Sequence, residues 1–140
     1  MDKKQRFVDV IFINDNDEVL LLKRRSDAEF MPNKWCLPGG HLDEGYKLIE
    51  CGIKELEEET GIKCETLGKL INWTYKDGGS TTIFVGIPDF ISEDDPFHKS
   101  GKINITIMEH SDYKFVKFKD IKKYDLMPEL NDIIDEVLKN

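Results

Sequence analysis

The chain has 140 residues, of which 39% are hydrophobic and 10% aromatic, and its formal net charge at pH 7 is −8. This composition is typical of a globular domain rather than a disordered chain, and no window approaches the roughly 18 apolar residues of a membrane span. The acidic balance argues against a nucleic-acid polymer as partner, because such a protein needs a basic face. Since the N-terminus lacks a signal-peptide core, we expect one cytoplasmic domain over residues 1–140, with its oligomeric state left open.

The cysteines indicate no covalent or metal framework. Cys36, Cys51 and Cys64 are an odd number, widely spaced, and none forms a C-x-x-C pair. A zinc site needs clustered ligands, and a disulfide framework suits a smaller secreted chain. We therefore interpret them as reduced, small apolar residues.

The first part of the chain has the pattern of short strands. Residues 7–13 are rich in β-formers, residues 14–17 are turn formers, and residues 18–22 form a second apolar run. This order predicts a β-hairpin. A polar loop over residues 23–34 follows, and then a short apolar run over residues 35–37, which Pro38-Gly39-Gly40 stops.

Residues 47–60 change to a helical pattern. Ile49, Ile53, Leu56 and Thr60 recur at spacings of three and four, so they share one helix face. Gly61 has the position of a glycine that ends a helix. Gly52 lowers helix propensity, which indicates that the backbone packs closely against a neighbour there.

The next segments predict a second hairpin. Residues 66–75 and 81–87 are strand candidates on either side of residues 76–80, Lys-Asp-Gly-Gly-Ser, which form a good hairpin turn. Residues 88–102 are acidic and predict an irregular loop.

The end of the chain completes the pattern. Residues 103–108 and 113–118 are further strand candidates. Pro128-Glu129 then opens a helix whose apolar stripe is formed by Leu130, Ile133, Ile134, Val137 and Leu138. Strands around a central helix, with a second helix at the end, predict a mixed α/β sandwich.

The predicted central helix carries an acidic face. Glu55, Glu58 and Glu59 fall on one side at about 100° per residue, well round from its apolar face. Like charges at these spacings repel, and a bound divalent cation would reverse that effect. Mg²⁺ takes oxygen ligands from a few carboxylates together with substrate phosphates. The alternative is a solvated acidic helix face.

Residues 39–62 resemble the box of the Nudix (MutT-like) family. The family pattern is Gly, five residues, Glu, seven residues, Arg-Glu, an aliphatic residue, any residue, Glu-Glu, any residue, Gly and an aliphatic residue. The positions that match in register are Gly40, Glu55, Leu56, Glu58, Glu59, Gly61 and Ile62. Flanking segments extend the resemblance to the whole chain, and it implies an α/β/α sandwich with a mixed central sheet.

The box departs from the pattern at two positions. Tyr46 stands where the family has its first Glu, and Lys54 stands where it usually has Arg. Lysine keeps the charge but loses the bidentate fork that orients a neighbouring glutamate. Glu44 lies close to Tyr46 in sequence, but the sequence gives no geometric reason to expect Glu44 to take the place of that first Glu.

The resemblance also implies a ligand set. Glu58, Glu59 and the carbonyl of Gly39 would bind Mg²⁺, with Mn²⁺ as an alternative, and Glu55 would be a ligand or a base in the same cluster. Glu109 corresponds to the later acidic residue with which many members face the metal. Because members place the general base either in the box or downstream, Glu55 and Glu109 are rival candidates for that role.

The implied reaction is hydrolysis of a diphosphate linkage in a nucleoside diphosphate bonded to another moiety. We expect a (d)NTP, including an oxidised one, that yields a nucleoside monophosphate and pyrophosphate, because residues that label other branches are absent. The alternatives are an NDP-sugar or dinucleoside polyphosphate hydrolase, or a catalytically weak nucleotide-binding or regulatory module.

Four residues are candidate contacts to this small nucleotide substrate. Arg24 and Arg25 could fork onto phosphates, although strand alternation would turn only one of them inward. Trp35 and Tyr75 could stack on a base, and half-exposed sheet positions explain them equally well. His110 flanks the predicted metal region and has the pattern of a hydrogen-bonded structural residue, because Mg²⁺ prefers oxygen.

Overall fold

A computed structural model describes residues 5–105 and 109–139. Within them, the strands are β1 (Arg6–Phe12), β2 (Glu18–Arg24), β3 (Trp35–Cys36), β4 (Gly39–His41), β5 (Gly68–Thr74), β6 (Ser80–Gly86) and β7 (His110–Lys117). The helices are α1 (Leu48–Thr60), α2 (Phe97–Ser100) and α3 (Leu130–Lys139), with 3₁₀ turns at Pro88–Phe90 and Phe118–Lys123.

The strands form two sheets. Four of them are ordered β4-β1-β6-β5, and the other three are ordered β3-β2-β7. In the larger sheet β1 runs parallel to β6, while the β1–β4 and β5–β6 pairs are antiparallel. The smaller sheet is antiparallel throughout. The predicted mixed sheet is therefore confirmed.

Helices cover the larger sheet on both faces. Alternate residues of β1 point to opposite sides, so Val8 and Val10 pack with Leu56 of α1, while Ile11 packs with Ile133 of α3. Each buried aliphatic side chain of this kind stabilises the fold by about 1.5–3 kcal/mol. This arrangement confirms the predicted α/β/α sandwich. No helix in the described ranges is long and apolar enough to cross a membrane.

The predicted first hairpin is wrong, although both of its strands exist. β1 and β2 belong to different sheets, and in the described part of the chain the ladder pairing between their ends is limited to an isolated bridge between Ile13 and Val19. β1 is buried on both faces and pairs instead with the distant β6, from Arg6↔Ser80 to Phe12↔Gly86. Local turn signals indicate where a strand ends, but they do not select its partner.

Three other expectations need correction. Strand β4, Gly39–His41, lies in the stretch where Pro38 and two glycines predicted only a stop. The segment 88–102 is not fully irregular, since it contains a 3₁₀ turn and α2. Residues 103–105 form no strand, and residues 106–108 of that predicted strand lie outside the described residues.

Helix α1 begins and ends as its sequence predicts. The Lys47 N–H donates to Glu50 Oε1 at 3.0 Å, and this bond caps the first turn. At the other end Gly61 adopts a φ of 77°, and its N–H donates to the Glu57 carbonyl. Glycine adopts this left-handed conformation without steric cost, which is why it ends the helix.

Gly52 is the point at which α1 approaches the sheet. A Cβ atom there would lie 3.0 Å from Leu67 Cδ1 and 3.4 Å from Val8 Cγ1. Interiors are packed too densely to take up an extra side chain without displacement. The close packing predicted from the sequence is confirmed.

We therefore expect Gly52→Leu to destabilise the fold. Overpacking of this kind costs about 1–3 kcal/mol, which urea unfolding would measure. The matched control is Glu57→Leu, at an exposed position of the same helix, which should change the free energy of unfolding by only about 0.5 kcal/mol. A Gly52→Leu protein as stable as the wild type would contradict the close-packing interpretation.

Candidate active site

The acidic residues of α1 meet the glycine turn that leads into β4. Glu59 is only 4% exposed, and its carboxylate accepts the Gly39 N–H at 3.1 Å from Oε1 and 3.4 Å from Oε2. The Glu55 carboxylate lies against Gly40, where a Cβ would be 2.9 Å from Glu55 Oε2. The Glu55 carboxylate can approach the turn this closely because Gly40 has no side chain.

Burial makes this cluster electrostatically unfavourable in the absence of a cation. Burial raises the pKa of Glu59 to about 9; the Gly39 N–H opposes the shift, and Glu109, Glu55 and Asp9 add to it. The pKa of Glu55 is also raised, first by burial and then by Glu58. A divalent cation would reverse this balance, because it supplies the missing positive charge. The residues present therefore fit a hard cation.

A downstream acidic residue joins the cluster. One ligand atom each from Glu59, Glu109 and His110 lie within 4.8 Å of one another. The Glu109 carbonyl accepts the Arg25 N–H at 3.3 Å, which ties this residue to the end of β2. Glu55, Glu59 and Glu109 are thus brought to one place, whereas Glu58 lies on the exposed side of the same helix turns.

The two departures from the box share one set of contacts. Lys54 Nζ lies 2.7 Å from Asp43 Oδ2 and 3.7 Å from Glu58 Oε1, and it sits 5.2 Å from the centre of the Tyr46 ring. Asp43 is the main cause that raises the pKa of Lys54. The carboxylate that pairs with Lys54 belongs to Asp43, whereas Glu44 is exposed. This pair links the loop before α1 to the helix turn that carries Glu58.

Sequence reasoning missed Asp9. It lies on β1 between β4 and β6, opposite Gly39, and accepts a hydrogen bond from the Thr81 hydroxyl at 2.5 Å. Burial raises its pKa to about 7, the Thr81 bond opposes this shift, and the charge of Glu55 adds to it. The available signal was a single carboxylate within an otherwise apolar strand run.

The two arginines have different surroundings. Arg24 stands opposite His110 in the β2–β7 ladder, and its Nε donates to the Phe30 carbonyl at 2.7 Å. Arg25 pairs with Asp27 at 2.8 Å on the surface. Both remain predicted substrate contacts, and Arg24 lies nearer the carboxylate cluster.

The two aromatic candidates also differ. Trp35 is 8% exposed and packs edge-on against Tyr124 in the core on the α3 side. Tyr75 is half-buried near Asp9 and Phe7, and burial followed by the charge of Asp9 raises its pKa. Both remain predicted base contacts, and Tyr75 shares its surroundings with the half-buried Asp9.

The charge of Asp9 should destabilise the fold at high pH. Because its folded pKa lies above its unfolded value, the penalty is absent at low pH and complete above about pH 7. Asp9→Asn keeps an acceptor for Thr81 and removes this charge. We expect it to stabilise the protein by up to about 4 kcal/mol at pH 8 and by less than half of that at pH 5.

Urea unfolding at the two pH values would measure the effect. Asp15→Asn, at an exposed turn position, is the matched control and should show no such pH dependence. If Asp9→Asn destabilised the protein equally at both pH values, the burial of an unfavourable charge at Asp9 would be refuted.

Comparisons with known proteins agree with the predicted box. A family profile described as the NUDIX domain matches residues 3–137. The nucleoside triphosphatase NudI of Klebsiella pneumoniae (strain 342) is 30% identical over 133 residues, covering 88% of this chain and 89% of that protein. The m7GpppN-mRNA hydrolase NUDT17 of Xenopus laevis is 41% identical over 58 residues, so the match spans 41% of this chain and only 20% of that longer protein.

The fold has solved counterparts. The MutT protein of Methanosarcina mazei Go1 superposes with a TM-score of 0.73 at 23% identity, covering 99% of this chain and 96% of that one. The profile spans the helix, the glycine turn and Glu109, which the structure brings together. The chain therefore belongs to the NUDIX family of MutT-like hydrolases, as residues 39–62 predict.

Proposed function

We propose that this chain hydrolyses a diphosphate linkage in a nucleoside diphosphate bonded to another moiety. The substrate we favour is a (d)NTP, including an oxidised one, with a nucleoside monophosphate and pyrophosphate as products. The observation that carries the proposal is the buried Glu59 carboxylate, held beside the Gly39-Gly40 turn with Glu55 and Glu109 around it. A relative named as a nucleoside triphosphatase matches along most of the chain and supports the substrate class.

The proposed cation is Mg²⁺, with Mn²⁺ as an alternative. Its ligands would be the Gly39 carbonyl together with carboxylates of Glu55, Glu58, Glu59 and Glu109. When bound, the cation supplies positive charge to the diphosphate and activates the attacking water. The Gly39 N–H donates to the Glu59 carboxylate, and this bond orients Glu59 for its proposed role as a ligand.

Glu55 and Glu109 remain the two candidates for the general base. A base acts best when its pKa lies near the working pH. Burial raises the pKa of Glu55 and so favours it for this role, whereas Glu109 is exposed. Proton removal by Glu55 would occur beside Gly40, against which its carboxylate packs.

The Lys54–Asp43 pair supports an active enzyme rather than a binding module. The pair keeps a positively charged side chain, that of Lys54, next to Glu58, although lysine replaces the arginine of the family. On the substrate side, we propose that Arg24 contacts phosphate and that Tyr75 contacts the base, since Arg24 stands beside His110 and Tyr75 beside Asp9. Arg25 and Trp35 are weaker candidates, because Arg25 is paired with Asp27 and Trp35 is buried.

The test is turnover of a nucleotide panel with Mg²⁺ or Mn²⁺, with phosphate and pyrophosphate release measured separately. We expect pyrophosphate from a (d)NTP with the wild type, and a loss of turnover on the order of 100-fold or more for Glu58→Gln and Glu59→Gln. Glu57→Gln is the matched control, because Glu57 is an exposed glutamate of the same helix outside the proposed ligand set.

The outcomes separate the parts of the proposal. No turnover of any nucleotide would refute the enzymatic proposal. Turnover by Glu58→Gln and Glu59→Gln equal to that of the wild type would refute the ligand assignment. Hydrolysis of a dinucleoside polyphosphate or an NDP-sugar in preference to every (d)NTP would refute the favoured substrate and leave the reaction class standing.

A further inference from the structure

His110 is buried beside the carboxylate cluster, and one of its two ring nitrogens has no hydrogen-bond partner among the described residues. Its residue is 3% exposed, and one of its ring nitrogens lies within 4.8 Å of ligand oxygens of both Glu59 and Glu109. The sequence alone indicates a hydrogen-bonded structural histidine here. In the described part of the folded protein, however, only one of its two ring nitrogens has a hydrogen-bond partner.

The contacts of Cys36 favour one tautomer of the His110 ring. The Cys36 thiol donates to the Leu22 carbonyl at 3.5 Å, so its sulfur is left to accept the N–H of His110 Nε2 at 3.9 Å. The lone pair then resides on Nδ1. Among the described residues Nδ1 has no hydrogen-bond partner. Buried polar atoms are nearly always paired, so an unpaired nitrogen on a ring that lies beside two carboxylates points to a ligand.

The neighbouring groups restrict what that ligand can be. The carboxylates of Glu59 and Glu109 would repel an anion. Arg24 stands opposite His110 in the β2–β7 ladder, but its Nε donates to the Phe30 carbonyl, so it does not offset this repulsion through that group. A divalent cation is attracted by the carboxylates and accepts an imidazole lone pair. Imidazole suits borderline transition-metal ions, whereas Mg²⁺ takes oxygen ligands.

We propose that His110 supplies a nitrogen ligand to the cation bound at Glu59 and Glu109, so that this site favours Mn²⁺ over Mg²⁺. The inference rests on the metal site of the proposed function and deepens it. Replacing the imidazole should weaken the binding of Mn²⁺ much more than the binding of Mg²⁺, because Mg²⁺ gains little from nitrogen.

The direct test is pulsed EPR of the intact protein loaded with Mn²⁺. The wild type should show a ¹⁴N coupling to Mn²⁺ that changes to a ¹⁵N coupling when the histidines are ¹⁵N-labelled. The chain has three histidines, His41, His98 and His110. The coupling should disappear in His110→Gln and persist in the matched control His98→Gln, since His98 is an exposed residue that contacts the Ile91 carbonyl.

Calorimetry with each ion alone gives the second readout. We expect His110→Gln to bind Mn²⁺ about 10- to 100-fold more weakly, with the affinity for Mg²⁺ changed by less than about threefold. Equal losses for both ions would show a structural role for His110 and overturn the inference.

The labelled wild type keeps the test decisive if His110→Gln does not fold. Mn²⁺ binding without any histidine nitrogen coupling would overturn the inference and leave the proposed function standing. Failure of the wild type to bind either ion would overturn the metal site of the proposed function, and this inference with it.

Discussion

The hydrogen bond from the Gly39 N–H to the Glu59 carboxylate is the contact on which the site depends. It joins the last turn of α1 to the start of β4, and it places an acidic side chain where solvent is almost excluded. A buried carboxylate is unfavourable unless it is hydrogen-bonded and its charge is compensated. The apolar packing of Leu56 against β1 must hold α1 in place against this cost. The fold therefore stabilises a cluster that is unfavourable by itself, as is common at functional sites.

Small residues set the distances on which that contact depends. A Cβ on Gly39 would collide with Asp9 and the Val8 backbone, and one on Gly40 would contact the Glu55 carboxylate. Gly52 brings α1 close to Leu67 and the sheet in the same way. The glycines of the box thus allow the helix, the turn and the sheet to pack closely, and this packing sets the positions of the acidic side chains. The box is therefore a packing unit as well as a cluster of carboxylates.

The departures from the family pattern show how the same geometry tolerates substitution. Lys54 replaces the usual arginine and meets Asp43, Glu58 and the Tyr46 ring. A lysine lacks the planar fork of an arginine, but it can still contact two carboxylates and an aromatic face. Asp43 of the preceding loop supplies the carboxylate that pairs with Lys54. This contact joins the loop and the helix that together form the site.

Local sequence patterns predicted the extent of α1, its end at Gly61 and the close packing at Gly52. They also predicted one acidic face for Glu55, Glu58 and Glu59, but Glu59 is buried against the Gly39 turn while Glu58 is exposed. Each prediction follows from periodicity or backbone preference within a few residues. The strand pairing arises only when the layers assemble, since β1 pairs with the distant β6 rather than with its neighbour β2. The same assembly places the half-buried Asp9 and the buried His110 near the cluster and makes Asp43 the partner of Lys54. Most of these contacts join residues that are far apart in sequence, and one of them involves Asp43 rather than its neighbour Glu44. No local pattern encodes them, because burial and pairing arise only when the layers pack together.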